Sequence, residues 1–370
     1  MNRTQQDRDA KDRDAKRKKR KKSIKPLVVV VGVLGICVLI LVIMCLRAKH
    51  RLYSEAASLA PQLTISENAV SGNSAEALAE VYWEEGWVRY NGKIYEYNDD
   101  ILTFLVMGID EFGVVQESTD GVSGGQADAL ILAVLDGASK KISLIAINRD
   151  TMTDVLMYGY GSGDYIEAQI AVQHGFGDGM ELSCELTRDA VSRLFYDLPI
   201  HGYVSVNMGV IPQLNDAVGG VSVVIPEDVA GDFEGWNEGE TVALYGIEAF
   251  YFVQQRDCES FDSNSTRLSR QKQYLTAFVN TLLTQTAQDL TLPVDVYLEL
   301  QEYMVTDIST DEMAYLAGEV ISYSFEDGSI YTLEGTTQMG ENFEEFYVDH
   351  EALKALMIDI FYREVENTGN

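Results

Sequence analysis

Apolar and polar positions along the chain fall into two regimes. Residues 27–46, LVVVVGVLGICVLILVIMCL, form one uncharged run. At about 1.5 Å per residue a helix of that length matches the hydrocarbon core of a bilayer. Beyond residue 100 the apolar runs shorten to strand length: ILTFLVMG (101–108), ALILAVLD (129–136) and KISLIAIN (141–148). The spacing then predicts helices over 165–175, 180–196, 209–217, 245–255, 266–288, 310–322 and 349–364. Strands are expected at 202–207 and 221–226. In 266–288 the stripe Leu268, Leu275, Val279 and Leu282 is the face to be buried.

Strands alternating with helices predict an α/β fold: a three-layer α-β-α domain with a mixed central sheet, behind a single N-terminal transmembrane helix. The expected organisation is a basic tail (1–25), the transmembrane helix (27–46), a stalk (47–85), a catalytic or binding domain (86–290) and an extension packed on that domain (291–370). WVRYNGKIYEY at 87–97 marks the domain start, because Asn91-Gly92 between alternating aromatic and polar residues is a hairpin signal.

The strand directions make a geometric prediction. Strands 129–136 and 141–148 are joined by the short connection Gly137-Ala138-Ser139-Lys140, so they are antiparallel. The Gly-rich link from 101–108 to 129–136 has no helical periodicity, so that pair is antiparallel as well. Asp110 follows the first strand, Asp128 precedes the second and Arg149 follows the third. Two carboxylates and a cation therefore meet at one sheet edge.

Charge sharpens this. The chain of 370 residues holds 28 Lys+Arg and 58 Asp+Glu. Residues 1–25 hold twelve of the cations and four of the acids, and Arg47, Lys49 and Arg51 follow the apolar run. The remainder, 52–370, has 13 cations and 54 acids, a net of −41. Cations concentrated before the span predict a cytoplasmic N-terminus and an extracellular main domain, with the protein held in the cell membrane by one pass. So acidic a domain excludes nucleic acid as its partner. Of the four cysteines, Cys184 and Cys258 lie outside the span, which leaves one disulfide open.

Four of the 13 cations of the exported part gather at Arg256, Arg267, Arg270 and Lys272. Arg267, Arg270 and Gln271 share one face in the first turns of a helix. Guanidinium forks at a helix N-terminus suit phosphate or pyrophosphate. Salt bridges to surrounding acids are the alternative. No Walker A loop, G-x-S-x-G elbow, HExxH or CxxC is present. GYGSG (159–163) reads as a loop, and His174 in QHGFG reads as a helix-end or core residue rather than a catalyst.

The series GID (108–110), QAD (126–128), INRDT (147–151), DAVGGVSVVIP (216–226), LYGIEAFYFVQQRD (244–257) and RLSRQ (267–271) resembles the LytR-CpsA-Psr family in consistent order. The resemblance implies a phosphotransferase that moves a glycopolymer from a polyprenyl-pyrophosphate carrier to a peptidoglycan acceptor outside the membrane. It implies Asp110 and Asp128 as ligands of Mg²⁺, and Arg149, Arg256, Arg267 and Gln271 as pyrophosphate-binding. Arg270 is expected beside them, and Asp150 or Asp262 as base or orienting partner. Where the family usually carries arginine, this chain has Glu111-Phe112, Gln126 and Gln254. The two glutamines keep a hydrogen-bonding place in the pyrophosphate set but bring no charge. A non-catalytic module binding a polyprenyl-pyrophosphate or anionic glycan, or a pyrophosphate hydrolase, stands as the alternative.

Overall fold

The computed structural model describes residues 44–53, 60–63, 86–118, 124–158, 163–255, 263–326, 328–341 and 343–365, without the side chains of 263–268. The chain forms two units, Met1–Arg51 and Leu52–Asn370. In the first, residues 44–51 are helical. Most of the expected transmembrane span lies outside the described residues. Among the described residues, no helix is long and apolar enough to cross a membrane.

The second unit opens on the expected hairpin, β1 (Val88–Tyr90) and β2 (Lys93–Tyr97), turning through Asn91 and Gly92, both at positive φ. Then come β3 (Ile101–Ile109), β4 (Ala127–Asp136) and β5 (Lys141–Ile147), followed by a second hairpin, β6 (Met152–Leu156) and β7 (Tyr165–Gln169). Helix α1 (Glu181–Leu194) leads to β8 (Gly202–Asn207), α2 (Ile211–Ala217), β9 (Val221–Val224), β10 (Thr241–Leu244) and α3 (Ile247–Gln254). The long α4 (Ser263–Gln288) and α5 (Leu292–Leu300) precede β11 (Met304–Thr306) and α6 (Thr310–Val320). The chain closes with β12 (Ile330–Thr332), the hairpin β13 (Gly335–Met339) and β14 (Glu344–Val348), α7 (His350–Phe361) and β15 (Tyr362–Glu364).

The central sheet has the order β11-β8-β3-β4-β5-β12 and is mixed. Both β3–β4 and β4–β5 are antiparallel, as their short or helix-free connections require, whereas β8 on β3 and β12 on β5 are parallel. Alternate residues serve opposite faces. Leu105, Met107, Leu130, Leu132 and Ile145 pack with Ala190 and Val191 of α1 and with Leu353 and Met357 of α7. Leu102, Phe104, Ile142 and Leu144 pack with Leu275 and Val279 of α4 and Leu316 of α6. The continuous apolar character of β3 follows from this double burial. Each such side chain contributes about 1.5–3 kcal/mol when fully buried. A third cluster joins β9, β10, α3 and α4 around Trp236 and Phe252, and Leu282 of the expected stripe turns to it.

Acids help to cap the starts of α1 and α6. Asp178 accepts hydrogen bonds from the N–H groups of Met180 and Ser183 at the start of α1. Ser309 and Glu312 form a capping box on α6.

The expected helix over 165–175 is corrected. Residues Tyr165–Gln169 are a strand paired with β6, and Ile170–Phe176 is a single 3-10 stretch. Period-two alternation in YIEAQ was masked by the apolar residues that follow it. Gln173 fixes the outcome by bonding both the N–H and the carbonyl of Leu156, at 2.8 and 3.0 Å. Helix 349–364 likewise ends at Phe361, where the chain becomes β15 and pairs with β2.

Candidate functional site

The site lies where β3 ends and β4 begins. Gly108 faces Ala129, but Ile109 faces Ala127, so Asp128 is the extra residue of a β-bulge. A bulge bends its strand and re-aims the side chain it carries. Asp110 sits opposite Gln126. Its N–H donates to the Gln126 carbonyl at 3.1 Å, and its Oδ1 accepts from the Gln126 N–H at 2.6 Å. On the other side of β4, Leu130 pairs with Ile147, and the same register continued by two residues sets Asp128 against Arg149.

Arg149 is the centre of this group. Nη1 is paired with Asp128, Nη2 donates to Gln126 Oε1 at 2.8 Å, and Nε lies 3.6 Å from Asp150 Oδ1. About a third of the side chain is exposed, 33%. Asp150 is held from behind by Gln169, whose amide nitrogen donates to Asp150 Oδ1 and to the Glu344 carbonyl, each at 2.8 Å. The Asp150 carbonyl in turn accepts from the Phe346 N–H at 2.9 Å, which attaches β14 to the site.

The predicted meeting of Asp110, Asp128 and Arg149 at one sheet edge is therefore the geometry found. The structure adds Gln126 as the link between Asp110 and Arg149, and Gln169 as the brace of Asp150. Gln169 fell inside the expected helix, and only the alternation of YIEAQ could have revealed it.

The second cluster is different. Arg270 is 3% exposed and faces inward. Its Nε donates to the Phe252 carbonyl at 2.8 Å, Nη1 pairs with Asp228 and Nη2 donates to the Gln255 carbonyl. Burial lowers its pKa. Two of the three nitrogens engage carbonyls at the end of α3 and the third engages Asp228 in the turn after β9, so Arg270 ties these two segments together. Gln271, exposed on α4, donates to the Val253 carbonyl at 3.1 Å, and Gln254 is exposed at the end of α3. Arg256 and Asp262 lie outside the described residues, as does the side chain of Arg267.

Among the described residues no group of three or more His, Cys, Asp and Glu could enclose a metal ion. Two carboxylates at one edge, Asp110 and Asp128, fit Mg²⁺, which takes one or two protein carboxylates and leaves the remaining positions to water and phosphate oxygens. A cage built from protein alone would need more donors.

A protein-family model, the LytR_cpsA_psr family, matches residues 64–359, well over half of the chain. This protein belongs to the LytR-CpsA-Psr family. Among similar members is a TagU from Halalkalibacterium halodurans, 30% identical over 216 residues, which are 58% of this chain and 63% of that one. A TagU from Enterococcus faecalis is 26% identical over 69% of this chain and 77% of its own. Both carry the name polyisoprenyl-teichoic acid–peptidoglycan teichoic acid transferase. The chain spans slightly less than two thirds of the first of these relatives. In three dimensions it resembles Bacillus subtilis TagV, with a TM-score of 0.54, 22% identity and coverage of 70% of this chain and 96% of that one. A structure of TagT bound to LI-WTA gives a TM-score of 0.53 at 18% identity, over 70% and 89% of the chains. These likenesses show that the fold is the LytR-CpsA-Psr fold.

The disulfide left open by the sequence does not involve Cys184. Cys184 is a buried free thiol, and burial pushes its pKa up to about 12, while Cys258 lies outside the described residues. His174 is a core residue, as the sequence suggested, 1% exposed and with its pKa lowered by burial.

Proposed function

We propose that this protein is a membrane-anchored, extracellular phosphotransferase that moves a glycopolymer from a polyprenyl-pyrophosphate carrier to peptidoglycan. The carrying observation is the group at the sheet edge: Asp110, Gln126, Asp128 and the part-exposed Arg149 on adjacent strand ends, with Asp150 beside them braced by Gln169 of the β6–β7 hairpin. Membership in the LytR-CpsA-Psr family and the names of the TagU relatives support the reading. The N-terminus is cytoplasmic, and residues 27–46 form the anchor.

Phosphoryl transfer asks a protein chiefly to position groups and neutralise charge. Arg149, with Gln126 beside it, holds the pyrophosphate from the sheet side, and Arg256, Arg267, Gln254 and Gln271 hold it from the α3–α4 side. Arg270 sets the end of α3 instead of contacting phosphate. Asp110 and Asp128 hold Mg²⁺, which when bound supplies positive charge to the phosphate oxygens. An acceptor hydroxyl attacks the phosphorus bonded to the glycan, and the P–O bond to the distal phosphate breaks. The products are a glycan phosphodiester and polyprenyl phosphate, with the hydroxyl proton passing to Asp150, the carboxylate that Gln169 orients.

One observation favours a second reading. Arg149 is already paired with Asp128 and flanked by Asp150, so the described part of the site carries more negative than positive charge. A member that binds the lipid-linked glycan without turning it over, or that only hydrolyses the pyrophosphate, is consistent with that balance. Incubation with lipid-linked glycan, peptidoglycan and Mg²⁺ separates the three. Polymer joined to peptidoglycan, lost in Arg149→Ala and Asp128→Asn, supports transfer. Free glycan phosphate supports hydrolysis, and tight binding without either product leaves the binding module.

A further inference from the structure

We propose that His174 is a positioning residue for the Asp110–Gln126–Asp128–Arg149 group, holding the Gly124–Gly125 turn from which Gln126 and Asp128 project. Its effect on catalysis rests on the transferase reading; its effect on the turn does not.

The ring lies under the turn. Nδ1 is 2.8 Å from the Gly124 carbonyl and 3.3 Å from the Gly125 carbonyl. Carbonyl oxygens only accept, so Nδ1 carries the hydrogen and Nε2 is the lone-pair nitrogen. Nε2 faces the Cys184 thiol at 3.8 Å, which keeps this tautomer. Asp178 and Asp110 are the charged groups that bear on the ring.

The turn is also closely packed. A Cβ on Gly124 would stand 3.0 Å from the His174 carbonyl oxygen and the Gly179 nitrogen. Gly125 has φ +75°, and a Cβ there would meet Ile109 Cγ2 at 2.6 Å. The turn is therefore seated between the 174–179 segment and the end of β3. The next residue, Gln126, receives Asp110, bonds Arg149 and accepts from the Asp128 N–H at 3.1 Å. Among the described residues His174 is the one side chain that bonds both turn carbonyls.

His174→Asn, His174→Gln and His174→Phe in the full-length protein test this. Asn carries an N–H close to the Nδ1 position, Gln carries it toward Cys184, and Phe keeps the ring without a donor. Amide hydrogen exchange of the peptide spanning Gly124–Asp128 is expected to quicken about tenfold or more in the Gln and Phe variants, with Lys141–Ile147 unchanged and Asn close to wild type. Turnover should follow the same order, with kcat falling and the melting temperature of the Gln variant near that of the wild type. If Phe does not fold, the Asn and Gln pair decides. Exchange at Gly124–Asp128 unchanged in the Gln variant overturns the proposal. Altered exchange in a protein with no transfer activity leaves the positioning role intact and removes the transferase reading instead.

Discussion

Asp128 and Arg149 face each other where β4 and β5 leave the central sheet, two residues beyond the Leu130–Ile147 pair, and they close an ion pair across the strand ends. The pair orients the guanidinium so that Nη2 reaches Gln126 and Nε reaches toward Asp150. A point charge has no such fork.

Arg149→Lys is therefore expected to lose nearly as much activity as Arg149→Ala. Removing one preorganised donor costs roughly 10²–10³ in kcat. Turnover of lipid-linked glycan at saturating Mg²⁺ measures it, and a Lys variant within about threefold of wild type would show that charge alone suffices.

Arg270→Ala should act on stability before it acts on chemistry. The change leaves the Phe252 and Gln255 carbonyls and Asp228 without their donor. The expected loss is at least about 2 kcal/mol, with Asp228 discounted because it is partly exposed. Denaturant unfolding gives the value, and a loss below about 0.5 kcal/mol would contradict the buried role.

Gly125→Ala combines a left-handed backbone with a Cβ only 2.6 Å from Ile109 Cγ2. Destabilisation of more than about 1 kcal/mol is expected. Activity should drop further than stability explains, because Gln126 moves with the turn. Melting temperature and kcat measured on the same preparation separate the two effects.

Gln169→Leu removes the amide that joins Asp150 to the Glu344 carbonyl. Each group left unbonded costs about 1 kcal/mol at partly exposed positions. Faster amide exchange in the peptide Glu344–Val348 is the expected signature, and unchanged exchange there would argue that the brace carries no weight.

Acid should weaken the fold through His201, whose pKa burial lowers from 6.5 to about 4. Above pH 6.5 both folded and unfolded forms are neutral and the full stability is present. Between pH 6.5 and about 4 the unfolded chain takes up the proton and the folded one does not, so stability falls across that window. His201→Gln should flatten the difference in melting temperature between pH 7 and pH 4.5, whatever its effect at neutral pH.

The chain announced the sheet edge because strand ends are legible in one dimension. Continuous apolar runs bounded by Asp110, Asp128 and Arg149 place those residues at strand ends, and the short or helix-free connections fix the direction of pairing. The bulge at Asp128 was not legible, since it depends on Gly125 and Gln126 meeting Asp110. Gln169 was hidden for a related reason: the alternation of YIEAQ is only five residues long and runs into apolar residues, so its partner Met152–Leu156 and Gln173 settle the strand. Arg270 was expected beside the pyrophosphate ligands because helical spacing with Arg267 says which residues share a face, not which way that face turns. The carbonyls at the end of α3 decided it.

The two hydrogen bonds between Asp110 and Gln126 tie together the ends of the fifteen-residue excursion 111–125 at its root. Past that root the segment is bonded onward to the rest of the fold, by the Val115 N–H to the Glu302 carbonyl at 2.8 Å and by the Ser118 N–H to the Asp178 carbonyl at 2.6 Å. Knotted at its root and stitched to two neighbours, the segment makes the placement of the charged group depend on the chain around Asp178 and Glu302 as well as on the strands that carry it.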